Sequence, residues 1–320
     1  MKLSILRFLI PVFSFLFIFT PFGIAQTYPD KAIKIVVGPG PDNLARITGE
    51  KITEEWGQAV IVEPKPAAGG IVAGDSVAKA PADGYTLLLS TGSYTINSVL
   101  QPKMPYDFQK DLTPVSLLAT LPFILVVNSN SPIKSVKDLV ANAKAQPGKL
   151  NYASSGNGTP AHLAGEMLKQ MTGIDIAHIP YKSAAAGVTD VLGGQVNLMF
   201  VPAPSALPFI RSNQLRALAV SSPKRYSLLP ELPTVAEEGY PNFAIVGWNG
   251  INAPAKTPAN IIEKLNKEFV KIMRQKDVQE KAIAAGFEPI GSSVEDFAQF
   301  LKRDISRSIE VIKAGNIQPF

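Results

Sequence analysis

The chain has 320 residues, 46% of them hydrophobic and 18% charged, with a formal net charge of +5, two histidines and no cysteine. The lack of cysteine excludes disulfides, thiolate metal sites, a cysteine nucleophile and a lipid-modified cysteine. Basic residues are scattered along helical patterns rather than clustered with aromatics, which argues against nucleic acid as a partner.

Lys2 and Arg7 open the chain, residues 9–19 form an apolar run, and Gly23-Ile24-Ala25 supplies small residues, so residues 1–25 read as a secretory signal peptide cut after Ala25. Pro11, Ser14 and Pro21 interrupt the run, which is short for a bilayer core of roughly 30 Å. No later segment is apolar for the roughly 20 residues a membrane helix needs, so a soluble exported protein is expected. Residues 26–320 are enough for two lobes that bury about three quarters of their extended-chain surface.

Short β-branched runs then alternate with helical patterns. Residues 33–37 read as a strand, followed by Leu44, Ile47, Ile52 and Trp56 at helical spacing; residues 60–63 read as a strand and 71–80 as a helix. Residues 85–89 are a continuous apolar run, as found when both sheet faces are covered. A second series opens with a strand at 123–127 and a helix begun by Ser135, with Asp138 in capping-box position. Strands at 151–153, 176–179 and 196–201 alternate with helices begun at Thr159-Pro160 and over 184–192. Residues 215–220 precede a turn-rich stretch at 221–241, a strand-like run at 243–252 and three helical segments. In the last helix Phe297, Leu301, Ile305, Ile309 and Ile312 share one face, and Lys302, Arg303 and Arg307 the other. The alternation predicts two α/β lobes, each with a mostly parallel sheet flanked by helices.

The segment Ser154-Ser155-Gly156-Asn157-Gly158-Thr159-Pro160 lies between a predicted strand and a predicted helix. Its glycines let the backbone curve into a set of N–H donors, its hydroxyls add more, and the helix start adds partial positive charge, a combination that suits a carboxylate. One such turn contributes about 0.3–2 kcal/mol, whereas micromolar binding needs about 8 kcal/mol, so donors from several loops in a closing cleft are required. Gly38 and Pro39, after the first strand, sit where open α/β sheets place ligands, although the G-x-G there lacks the rest of a dinucleotide or phosphate-loop signature. Asp42 is expected to cap the following helix. Ser90 and Thr91, Ser183 and Ala184, and Pro202 end other strands and complete the expected ligand-binding set.

No catalytic or metal-ligating set is expected. The chain holds only His162 and His178, with no G-x-S-x-G or H-E-x-x-H pattern. A serine nucleophile at Ser154 served by His162 is the remaining enzymatic possibility, and geometry decides it.

Several motifs occur in a set order: Tyr28-Pro29, Ala67-Ala68-Gly69-Gly70, Asp83-Gly84-Tyr85-Thr86-Leu87-Leu88, Tyr106-Asp107-Phe108, Pro147-Gly148-Lys149-Leu150, Ser155-Gly156-Asn157-Gly158-Thr159, Ile179-Pro180-Tyr181-Lys182 and Gly194-Gln195-Val196. Over nearly the whole exported chain this order resembles the receptors of tripartite tricarboxylate transporters, also called the Bordetella uptake gene proteins. The resemblance implies a type II periplasmic-binding-protein fold, with residues 26–122 and 248–320 forming lobe 1, residues 123–247 lobe 2, and a hinge around a central cleft. It further implies a periplasmic monomer that needs no cofactor, binds a small carboxylate through loop amides, hydroxyls and water, and delivers it to a two-subunit membrane permease. A sensing role, with the closed form presented to a membrane sensor kinase, is the alternative. Two positions depart from the family pattern: the loop after the first strand is short and proline-stiffened at Gly38-Pro39-Gly40-Pro41, and Ser183-Ala184 stands where two glycines are usual.

Overall fold

The computed structural model describes residues 28–319, so the expected signal peptide lies outside the described residues. The chain runs through β1 (Ile33–Val37), α1 (Asn43–Trp56), β2 (Val60–Pro64), α2 (Ile71–Ala78), β3 (Thr86–Thr91) and α3 (Gly92–Leu100) before β4 (Leu112–Asn128). It continues with α4 (Val136–Ala145), β5 (Leu150–Ser154), α5 (Pro160–Thr172), β6 (Ile176–Pro180), α6 (Ala184–Leu192), β7 (Leu198–Pro202), α7 (Ala203–Arg211) and β8 (Leu215–Val220). The last part holds β9 (Val246–Pro254), α8 (Ala259–Arg274), α9 (Lys276–Ala284), β10 (Glu288–Pro289) and α10 (Val294–Ala314).

The strands follow one order, β2-β1-β3-β9-β4-β7-β5-β6, with β8 and β10 also pairing with β4. In the first sheet β1 pairs in parallel with β2 and β3, while β9 lies antiparallel between β3 and β4. In the second, β5 pairs in parallel with β6 and β7, and β4 antiparallel with β7 and β8. Both sheets are therefore mixed: parallel strands joined by helices, as the alternation predicts, and antiparallel strands where the chain crosses over. β4 spans 17 residues because Leu112 to Pro122 pair with β9 and Phe123 to Asn128 pair with β7 and β8. β9 meets it at the crossing, where Val246 faces Pro122.

Each sheet face has its own core, so no sheet is left wet on one side. In the first sheet Leu44, Ile52, Leu265, Phe269 and Val278 bring α1, α8 and α9 onto one face, and Val77, Tyr94, Phe297 and Leu301 bring α2, α3 and α10 onto the other. In the second, Leu139, Ala164 and Leu168 seat α4 and α5, and Val188, Val191 and Leu207 seat α6 and α7 opposite. Complete burial of a side chain such as Phe297 contributes roughly 1.5–3 kcal/mol. A fifth cluster joins the two halves: Ile96 and Leu100 of α3 pack with Leu163 of α5 and Ile317 beyond α10. That apolar contact holds the halves against each other. Among the described residues no helix is long and apolar enough to cross a membrane.

Candidate ligand-binding cleft

Where β3, β4, β7 and β9 end or cross, the halves leave a cavity of about 390 Å³, counted out to its open mouth. Strand register sorts its lining into two parts. Thr91 lies opposite Asn249 across the β3/β9 pair, and Ser93 follows in the first turn of α3, giving a polar edge. Leu121 lies opposite Gly247, and Phe123 opposite Pro202, giving an apolar wall along the crossing. Among the described residues no charged side chain lines the cavity.

Asn249 is 1% exposed, and its side-chain Nδ2 has no hydrogen-bond partner among the described residues. A buried polar group left alone costs about 1–3 kcal/mol, and a guest that accepts from it recovers that cost. α3 adds to the same edge: Thr91 caps it, its hydroxyl accepting from the Ser93 amide at 3.3 Å, and its amino end points partial positive charge at the cleft. Opposite stands α5, started by Pro160 with Thr159 as cap and ended by Gly173 at φ 68°. A methyl group at Gly92 would sit 3.0 Å from Pro160 Cγ, so the missing side chain at Gly92 lets the two helix starts approach.

The Ser154–Thr159 turn is less open than its composition suggests. Ser154 Oγ accepts from the Gly156 amide at 3.1 Å and lies 2.7 Å from His178 Nε2. Thr159 Oγ1 donates to the Gly156 carbonyl at 2.7 Å, and the Gly158 amide donates to His162 Nδ1 at 3.3 Å. The amides of Gly156 and Gly158 are thus paired within the turn, which corrects the expectation that they point outward as free donors. Of the segment, Ser155 and Pro160 reach the cavity wall; Asn157 lines a separate crevice beside His162 and Ile317.

The other expected positions divide in the same way. Pro39, Thr91 and Pro202 line the cavity. Ser90 does not: it is fully buried, with Oγ donating to Asn252 Oδ1 at 2.5 Å and lying 3.1 Å from the Gly250 carbonyl, so it ties β3 to β9. Gly38 lies behind the cavity, where a Cβ would meet Tyr94 OH at 2.6 Å, so glycine is needed there for a close approach. Ser183 caps α6, accepting from the Ala186 amide at 3.3 Å, and with Ala184 stands away from the cavity lining. Asp42 makes no cap for α1; its carboxylate is held instead by Arg46 at 2.6 Å.

Ser154 has a histidine partner, but it is His178 rather than His162. The two imidazoles stack at 4.2 Å, with Tyr152 stacked on the far side of His178 at 4.8 Å. Burial, then the neighbouring His162 and Lys169, push His178 down from 6.5 to about 3; burial also lowers His162. Both rings are neutral at pH 7. Because Ser154 is 0% exposed and outside the cavity lining, the pair fixes the turn and presents no nucleophile to a guest.

Sequence reasoning missed Asn249 and Ser93. Asparagine is depleted in strands, so the two asparagines of β9, Asn249 and Asn252, among otherwise apolar residues are the signal that points to it.

Two mixed α/β halves, joined by crossing strands around a cleft with one polar edge, define a two-lobed solute-binding receptor. The family model described as the tripartite tricarboxylate transporter family receptor matches residues 44–317, and the chain belongs to that family. It is a family of periplasmic receptors, not enzymes. Protein BugT of Bordetella pertussis is 37% identical over 295 residues, covering 90% of each chain. Among solved structures, R. palustris Rpa4515 with adipate superposes with a TM-score of 0.88 at 33% identity, covering 92% of this chain and all of the other. MatC from Rhodopseudomonas palustris with bound malate superposes with a TM-score of 0.84 at 28% identity, covering 89% of this chain and all of the other.

Proposed function

We propose that the protein captures a small carboxylate between lobe 1, residues 26–122 and 248–320, and lobe 2, residues 123–247, and delivers it to a two-subunit tripartite tricarboxylate-type permease. Export by a cleaved signal peptide at residues 1–25 belongs to the same reading. The observation that carries it is the unpartnered, buried Asn249 amide at a cavity edge where two helix starts, one from each lobe, face each other. The adipate and malate of the two R. palustris structures support a carboxylate guest.

In this reading β4 and β9 flex at Pro122 and Val246, and the lobes part to admit the ligand. The carboxylate then accepts from Asn249, the hydroxyls of Thr91, Ser93 and Ser155, and ordered water. Closing brings Gly92 against Pro160 and Ile96 against Leu163, which excludes bulk water and strengthens every donor in the gap. The closed form docks on the permease.

The experiment is thermal unfolding of the exported chain against a panel of mono-, di- and tricarboxylates. A ligand at 100 times its Kd adds about 2.7 kcal/mol of stability. A saturable rise with at least one acid is expected; no response to any carboxylate in the panel would overturn the reading. Co-purification of the acid-loaded chain with its permease, absent without acid, tests delivery.

A further inference from the structure

Three observations bear on which acids the cleft accepts. The first is where the donors lie. Thr91 and Asn249 are paired by strand register on the β3/β9 edge, Ser93 follows in the first turn of α3, and Ser155 completes the polar lining. The second is the wall on the crossing strands, where Leu121, Phe123 and Pro202 offer carbon. Trp248 also borders the cavity, but its indole N–H is turned to Asp304 at 3.1 Å and is not free for a guest.

The third is the loop after β1. Pro39, Gly40 and Pro41 face the cavity, and two of the three have no N–H to give. The amide of Gly40 donates to the Gly38 carbonyl at 3.0 Å. The loop therefore brings three residues to the guest and no free backbone donor, and among the described residues no lysine or arginine lines the cavity to take its place.

Resting on the carboxylate reading above, we infer that this cleft selects acids with one anionic group and an apolar body, and discriminates against dicarboxylates of the same length. One carboxylate sits on the Thr91, Ser93 and Asn249 edge. The apolar body lies against Leu121, Phe123 and Pro202 under the proline loop. A second carboxylate would be stripped of water against that wall with only the Ser155 hydroxyl left in the lining to accept from, and a desolvated, poorly paired charge is strongly disfavoured. Pro39 and Pro41 act in selection by withholding amides.

Matched pairs test this on the unmodified exported chain: hexanoate against adipate, and benzoate against benzene-1,4-dicarboxylate, each titrated by calorimetry. Hexanoate and adipate share a six-carbon chain, benzoate and benzene-1,4-dicarboxylate share a ring and one carboxylate, and the members of each pair differ by one anionic group. The expected result is saturable binding of the monoacid in at least one pair, with its diacid at least ten-fold weaker. A diacid that binds as tightly as its monoacid, or more tightly, overturns the selection rule and leaves the carboxylate receptor standing. Binding of short dicarboxylates such as malate with silence from both monoacids overturns it equally. Silence from every carboxylate, these four included, removes the receptor reading and this inference together.

Discussion

The turn at Ser154–Thr159 and the strand edge at Thr91 and Asn249 face each other across one gap, and they solve opposite problems. The turn is rich in glycine and hydroxyls, yet its polar atoms largely satisfy one another: Ser154 with Gly156 and His178, Thr159 with the Gly156 carbonyl, and Gly158 with His162. The strand edge is plain in composition and keeps a buried donor without a partner. A self-satisfied segment holds shape; an unsatisfied one awaits a guest.

This contrast can be broken most forcefully at Asn249. Asn249→Leu is expected to weaken acid binding about 10–100-fold, the worth of a hydrogen bond to a charged group, roughly 1.5–3 kcal/mol. The same change removes an orphaned amide from the core, so the ligand-free protein should melt no lower than the parent, as differential scanning calorimetry would report. Ser154→Ala should do the reverse. Leaving the Gly156 amide and His178 Nε2 without their partner costs about 1–3 kcal/mol of stability, with a far smaller change in Kd than at Asn249. Equal losses of affinity in the two variants would erase the distinction.

A pH series sharpens the structural half of the comparison. His178 is held neutral in the folded chain, its value pushed down from 6.5 to about 3 by burial and by His162. Between those values the unfolded chain takes up a proton that the folded chain refuses. Its contribution to stability is therefore full above pH 6.5 and falls as the pH drops toward 3, by up to about 1.4 kcal/mol per pH unit. His178→Gln should flatten the fall in Tm between about pH 6.5 and about pH 4.5; an unchanged slope would contradict a neutral buried ring. The smallest effect belongs to Ser155→Ala, which removes one hydroxyl from the turn's contribution to the cavity and should raise Kd by the worth of one hydrogen bond, about 0.5–1.5 kcal/mol by calorimetry.

The alternation of strands and helices was legible because parallel strands with both faces covered read as apolar runs, and because caps such as Thr159, Ser135 and Ser293 mark their helices. The long crossing strand β4 was legible only from Phe123 onward. Its first half carries Pro114 and Pro122, which argue against a strand, yet register shifts beside β9 accommodate the irregularity. Helix α7 was hidden for a similar reason: Pro204 and Pro208 fall inside nine residues, and the surrounding burial of Ala203, Ala206 and Leu207 overrides their propensity. Site residues divide along the same line. A glycine-serine turn announces itself in sequence whether or not its donors are free, while Asn249 becomes visible only when strand pairing places it opposite Thr91 at the cavity edge.

The side-chain amide of Asn249 is the most direct reporter of the account. Its 15N–1H2 resonances can be assigned by their disappearance in Asn249→Leu and followed while an acid that raises the melting temperature is titrated into the protein. The account predicts that they shift saturably, with the same Kd that calorimetry gives. Resonances that stay fixed while the acid binds would place the guest elsewhere and contradict it.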